Sequence, residues 1–118
     1  MTKKQNNEAY YEIAGQFART EHFLGILSPA NAFRNVRRKL SWLTRADFDA
    51  RYILLGRAYD QAKSDLLLYL RPTRSATSHP DDIDTEALLR ALSKAYPTIP
   101  RRALTLMLGM IVYFGYLR

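Results

Sequence analysis

The strongest chemical signal in the chain comes from its arginines. Between His22 and Ala46 stand five basic residues, Arg34, Arg37, Arg38, Lys39 and Arg45, and no acidic one. That stretch supplies +5 of a net charge of +7. On a helix, Phe33, Val36, Leu40 and Leu43 gather on one side. Arg34 and Arg38, four residues apart, lie opposite, with Arg37 beside them. Like charges at that spacing destabilise an isolated helix by roughly 0.2–0.5 kcal/mol, so the cluster works mildly against folding and points to a polyanionic partner. Arginine's planar fork also suits phosphate oxygens better than a point charge does. Arg71 and Arg74 extend the surface if the third helix and its following loop lie alongside. The plain structural alternative is uneven solvated charge, neutralised by acidic residues elsewhere in the fold. An acidic protein is the alternative partner. Tyr10, Tyr52, Tyr59 and Tyr69 sit at core spacing, not in a base-stacking pattern.

Other residues with chemical capability do not assemble into a site. Asp82, Asp84 and Glu86 fit the first, third and fifth places of a calcium loop, but Ala87 stands where glycine is needed and Ser93 where the closing glutamate belongs. Acidic residues there read instead as the cap and dipole complement of a helix start. Ser75, Ser78, His79 and Asp81 supply the residue types of a hydrolytic triad without elbow glycines or an oxyanion hole. His22 falls near the end of the first helix, where the dipole favours a cation. The five glycines are scattered singly, so no phosphate-cradling loop forms. With no cysteine and two histidines, thiolate chemistry and thiol-ligated metals are excluded. The expectation is a non-enzymatic protein with no cofactor and no metal.

A helix–break–helix at residues 85–117 invites a helix-turn-helix reading, but it fits poorly. The break holds Pro97 and Pro100, and only Arg101, Arg102 and Thr105 are equipped to reach phosphate or base. Residues 103–117 carry no charged side chain. At the helical rise those 15 residues cover about 22 Å, short of the roughly 30 Å hydrocarbon core, so a membrane span is not expected. A buried helix or one shared with a partner is the expectation, with Leu104, Leu108, Ile111 and Tyr113 as packing residues. Gly109 and Gly115 leave room for another backbone to approach, which suits a homo-oligomer or tight core packing.

The elements that must hold these residues are helices. Strand signals are nearly absent, and 118 residues at 47% hydrophobic suit one compact domain. Residues 1–7 are polar, lack the apolar core of an export signal and read as a flexible N-terminus, so the expected compartment is the cytoplasm. A first helix spans residues 8–27, with Tyr10, Ile13, Phe17, Leu24 and Leu27 inward, and ends at Ser28–Pro29. A second covers 31–42. The third, 45–70, opens on Thr44 as N-cap with Asp47 three residues on. It carries Phe48, Tyr52, Leu55, Tyr59, Ala62, Leu66 and Tyr69 at alternating four- and three-residue steps. Ile53, Leu54, Ala58, Leu67 and Leu68 widen that surface, which places this helix at the centre of a bundle. Residues 71–80 form a loop. A fourth helix runs over 81–95 with Leu88, Leu92 and Ala95 inward, and a fifth over 100–117, where 112–116 also suits a short strand.

The expected protein is a single all-α domain of about five helices that binds nucleic acid or another polyanion through its arginine-rich helix. The alternative is a protein–protein module, such as an inhibitor, adaptor or small subunit, using the apolar C-terminal helix.

Overall fold

The computed structural model describes residues 1–17, 27–69 and 83–116. Five helices follow in order: α1 (Lys3–Phe17), α2 (Pro29–Lys39), α3 (Arg45–Asp65), α4 (Thr85–Ala95) and α5 (Arg101–Tyr116). A 3-10 turn, Leu66–Tyr69, extends α3. The domain is an all-α bundle, and the stretch at 112–116 is helical. The expected loop at 71–80, with Arg71, Arg74, Ser75, Ser78 and His79, lies outside the described residues. So do His22, Leu24, Asp81, Asp82 and the side chain of Tyr113.

Side-chain caps set most of the helix starts. Ser28 accepts the Asn31 N–H at 3.2 Å, so Ser28–Pro29 opens α2. Thr44 accepts the Asp47 N–H at 3.1 Å, as its spacing implies, and Asp84 accepts that of Ala87 at 3.1 Å. The first helix begins at Lys3, so residues 3–7 of the expected flexible N-terminus are helical. The reason is a capping box: the Gln5 N–H donates to Thr2 Oγ1 at 3.1 Å, and the Thr2 N–H donates back to Gln5 Oε1 at 3.0 Å.

Helices α1, α3 and α5 pack on one another, α4 closes against α3 and α5, and α2 leans chiefly on α1. The four-three stripe of α3 is inward: Phe48, Leu55 and Ala62 are fully buried, and Tyr52 and Tyr59 nearly so. A chain of rings runs through the core. Tyr59 meets Phe17 at 5.5 Å, Phe17 meets Tyr52 at 5.6 Å, Tyr52 stacks on Phe48 at 5.5 Å, and Phe48 meets the edge of Phe33 on α2 at 5.3 Å.

Several expected packing positions are corrected. Ile53 and Leu68 are 54% and 78% exposed, because the neighbours of α3 stand on its other side. On α4, Leu89 is buried with Leu88 and Leu92, since that helix meets both α3 and α5, and Ala95 in its last turn is exposed. Leu104, Leu108 and Ile111 are buried in this chain's own core, against α1, α3 and α4. They are therefore already covered within one copy.

Gly15 and Gly109 are exposed helical residues, and a Cβ added at either would meet nothing within 4 Å. Among the described residues no close contact requires glycine there. Gly15→Ala and Gly109→Ala are each expected to stabilise the domain by about 0.5–1 kcal/mol through lower unfolded-state entropy. Urea unfolding checks this, and a loss at either position would show that something packs on it.

Candidate polyanion-binding site

The five cations between His22 and Ala46 fall into two sets once α2 is seated. Its inward residues, Ala32 and Val36, are buried, and Asn35 donates to Gln16 Oε1 on α1 at 3.2 Å. Arg34, Arg37, Arg38 and Lys39 consequently face outward and are exposed. Arg37, Arg38 and Lys39 occupy the last turn, where the partial negative charge of the helix C-terminus favours them. That placement offsets part of their mutual repulsion.

Lys39 and Arg45 have acidic partners. Lys39 reaches Glu12 on α1 at 3.5 Å, and Arg45 bonds Asp49 one turn along α3 at 2.9 Å. Exposed pairs of this kind contribute roughly 0–1 kcal/mol, so they hold the side chains loosely. Two guanidinium groups are placed over the half-buried Phe33 ring, Arg45 at 5.6 Å and Arg37 at 5.9 Å from its centre. Phe33 is the outer end of the core's ring chain, so the interior fixes these two charges at the surface. Arg34 and Arg38 have neither an ion pair nor a hydrogen bond among the described residues. The stretch thus brings together Arg34, Arg37, Arg38, Lys39 and Arg45 as one exposed patch, graded from paired to free.

The spacing of charges in the sequence missed two aromatic members of this patch. Phe33 reads as a core residue, yet it is also the seat of Arg37 and Arg45. Trp42, the chain's single tryptophan, stands in the turn joining α2 to α3 and is 36% exposed. It makes no ring contact or hydrogen bond among the described residues. Its position three residues before Arg45 and four after Arg38 was the available signal.

The remaining candidates have structural roles. Arg101 pairs with Glu86, Arg102 lies over the Tyr11 ring at 4.2 Å, and Thr105 Oγ1 donates to the Arg101 carbonyl at 2.8 Å. The three side chains that a helix-turn-helix reader would need are thus engaged within the fold. Arg51 is similarly pinned, donating to Asn6 Oδ1 at 2.7 and 3.1 Å and to the Asp47 carbonyl at 2.9 Å, over the ring of Tyr10. Burial, with the Asp60 charge adding, raises the Tyr59 phenol above its ordinary range and keeps it neutral.

An open groove of about 800 Å³ lies between α1, Leu40 and the start of α5. Its walls carry both signs, Lys3, Lys4 and Arg102 against Glu8 and Glu12, so it lacks the one-sided field of the α2 face. Among the described residues no group of three acidic or histidine side chains is arranged to hold a metal ion, and no helix is long and apolar enough to cross a membrane. Compared with known proteins, the chain matches no family model, no curated protein and no solved structure.

Proposed function

We propose that this is a non-enzymatic binding protein whose α2 face takes a polyanion, nucleic acid being the foremost, with the cytoplasm as its compartment. The observation that carries the reading is that Arg34 and Arg38 stand exposed, one turn apart, with no acidic partner among the described residues, while Arg37 is held beside them over Phe33. A solvated face needs no such concentration of arginine, and the nearby carboxylates, Glu12 and Asp49, are directed to Lys39 and Arg45. Three guanidinium groups on one exposed turn and a half of helix suit successive phosphates, each able to accept two parallel N–H bonds.

Binding to labelled duplex and single-stranded nucleic acid across a salt series tests this. The logarithm of affinity should fall linearly with the logarithm of salt, with a slope of about −2 to −3 if those three arginines neutralise three phosphates. Absence of binding to either form at low salt would refute the reading.

A further inference from the structure

We infer that the partner is a single-stranded nucleic acid, one of whose bases stacks on Trp42 while the arginines of α2 hold its phosphates. The inference rests on the polyanion reading above and adds to it the class of ligand and a second contact.

Trp42 is the starting point. An indole is large and apolar, so it is highly buried on average, and when buried its one N–H normally finds a hydrogen-bond partner. Here it is 36% exposed, and neither its ring nor its N–H has a partner among the described residues. The turn that carries it is short and held at both ends: the Leu40 N–H bonds the Val36 carbonyl at 2.9 Å, the Leu43 N–H bonds the Leu40 carbonyl at 3.1 Å, and Leu40 and Leu43 on either side are buried. Two buried leucines and two backbone bonds therefore anchor the indole at the surface.

Its surroundings select the ligand. Along the chain Trp42 is within about 14 Å of Arg38 and about 11 Å of Arg45 at full extension, and both carry long side chains. The indole itself carries no charge for a phosphate to pair with, and its flat face suits a neutral base. The arrangement is thus cationic along α2 and apolar at its end, matching a strand whose charged backbone and uncharged bases are separately accessible. A duplex presents phosphates too, but its bases are already stacked on one another and cannot lie on an indole unless expelled. Aromatic platforms beside a basic track are the general solution for single strands.

Because Trp42 is the chain's only tryptophan, its fluorescence reports the contact directly. The probes are single-stranded oligothymidylate and oligouridylate of about 12 nucleotides, a duplex of equal length and inorganic polyphosphate, the last carrying the charge without bases. Both oligomers should quench Trp42, whereas polyphosphate and duplex bind with little quenching. Trp42→Ala should weaken the oligomers about 5- to 100-fold by anisotropy and leave polyphosphate affinity unchanged. Trp42→Phe keeps a ring and the packing beneath it, and should bind within about threefold of the parent. If Trp42→Ala binds the oligomers as tightly as the parent, or if polyphosphate or duplex quenches as strongly, stacking is refuted while the polyanion face stands. If none of the probes binds, both readings fall.

Discussion

Replacing Phe48 by alanine is expected to destabilise the domain by about 3–5 kcal/mol. The ring is fully buried, stacked on Tyr52 at an interplanar angle of 19° and set against the edge of Phe33. Its loss removes the transfer free energy of a whole aromatic side chain and opens a cavity between two rings that rigid helices hold apart. Since small domains are stable by only about 5–15 kcal/mol, that is a large share of the total. Phe48→Leu, which fills most of the space, should cost clearly less. Urea unfolding followed by circular dichroism measures both, and a cost below about 1 kcal/mol for the alanine variant would mean that the ring chain does not organise the core. The effect should also reach the surface, because Phe33 is the seat of Arg37 and Arg45 and leans on Phe48.

Reversing three charges should do the opposite, abolishing binding while leaving the fold nearly intact. The triple variant Arg34→Glu, Arg37→Glu and Arg38→Glu replaces three potential phosphate contacts by three repulsions. An affinity loss of at least 100-fold at low salt is expected, with the salt slope reduced by about 2. The stability cost is limited to the last turn of α2, where two favourable cation–dipole contacts become unfavourable. Each contact is worth about 0.3–1 kcal/mol and its reversal about twice that, so a total near 1–4 kcal/mol is expected, while the like-charge repulsion between positions 34 and 38 persists between the two glutamates. Anisotropy titrations alongside urea unfolding separate the two effects. Affinity retained within tenfold would place the polyanion elsewhere.

The parts of the fold legible in the sequence were those enforced by repetition. Seven residues from Phe48 to Tyr69 keep the same face inward at each step, so the register of α3 follows from spacing alone, and of these Phe48, Tyr52, Leu55, Tyr59 and Ala62 are buried. Thr44 with Asp47 was legible for a similar reason, being a local bond between neighbours. The start of α1 was obscured because its capping box, Thr2 with Gln5, lies in a polar stretch with no apolar periodicity to draw attention to it. Leu104, Leu108 and Ile111 form a stripe that demands burial, but a stripe does not specify whether the covering surface belongs to the same chain. The linear run of arginines was legible because charge density is a property of sequence. Their grading was not: Lys39 meets Glu12, and Arg45 lies over Phe33, only because α1, α2 and α3 come together as they do. Trp42 was hidden by its type, since a large apolar residue at the end of an amphipathic helix reads as core until its exposure is known.

The placement of Arg37 and Arg45 over one half-buried ring has a thermodynamic consequence. A long side chain that is mobile in the free protein gives up rotational freedom when it grips a ligand, about 0.5–1.5 kcal/mol for each one immobilised. Arg37 and Arg45 have given up part of that freedom in advance, because their guanidinium groups already rest over Phe33. Arg34 and Arg38 have no such seat among the described residues. The patch therefore combines two kinds of cation, one pair seated on a ring and one pair exposed on α2 without such a seat among the described residues. For a polyanion, the seated pair would lose less side-chain entropy on binding than the unseated pair.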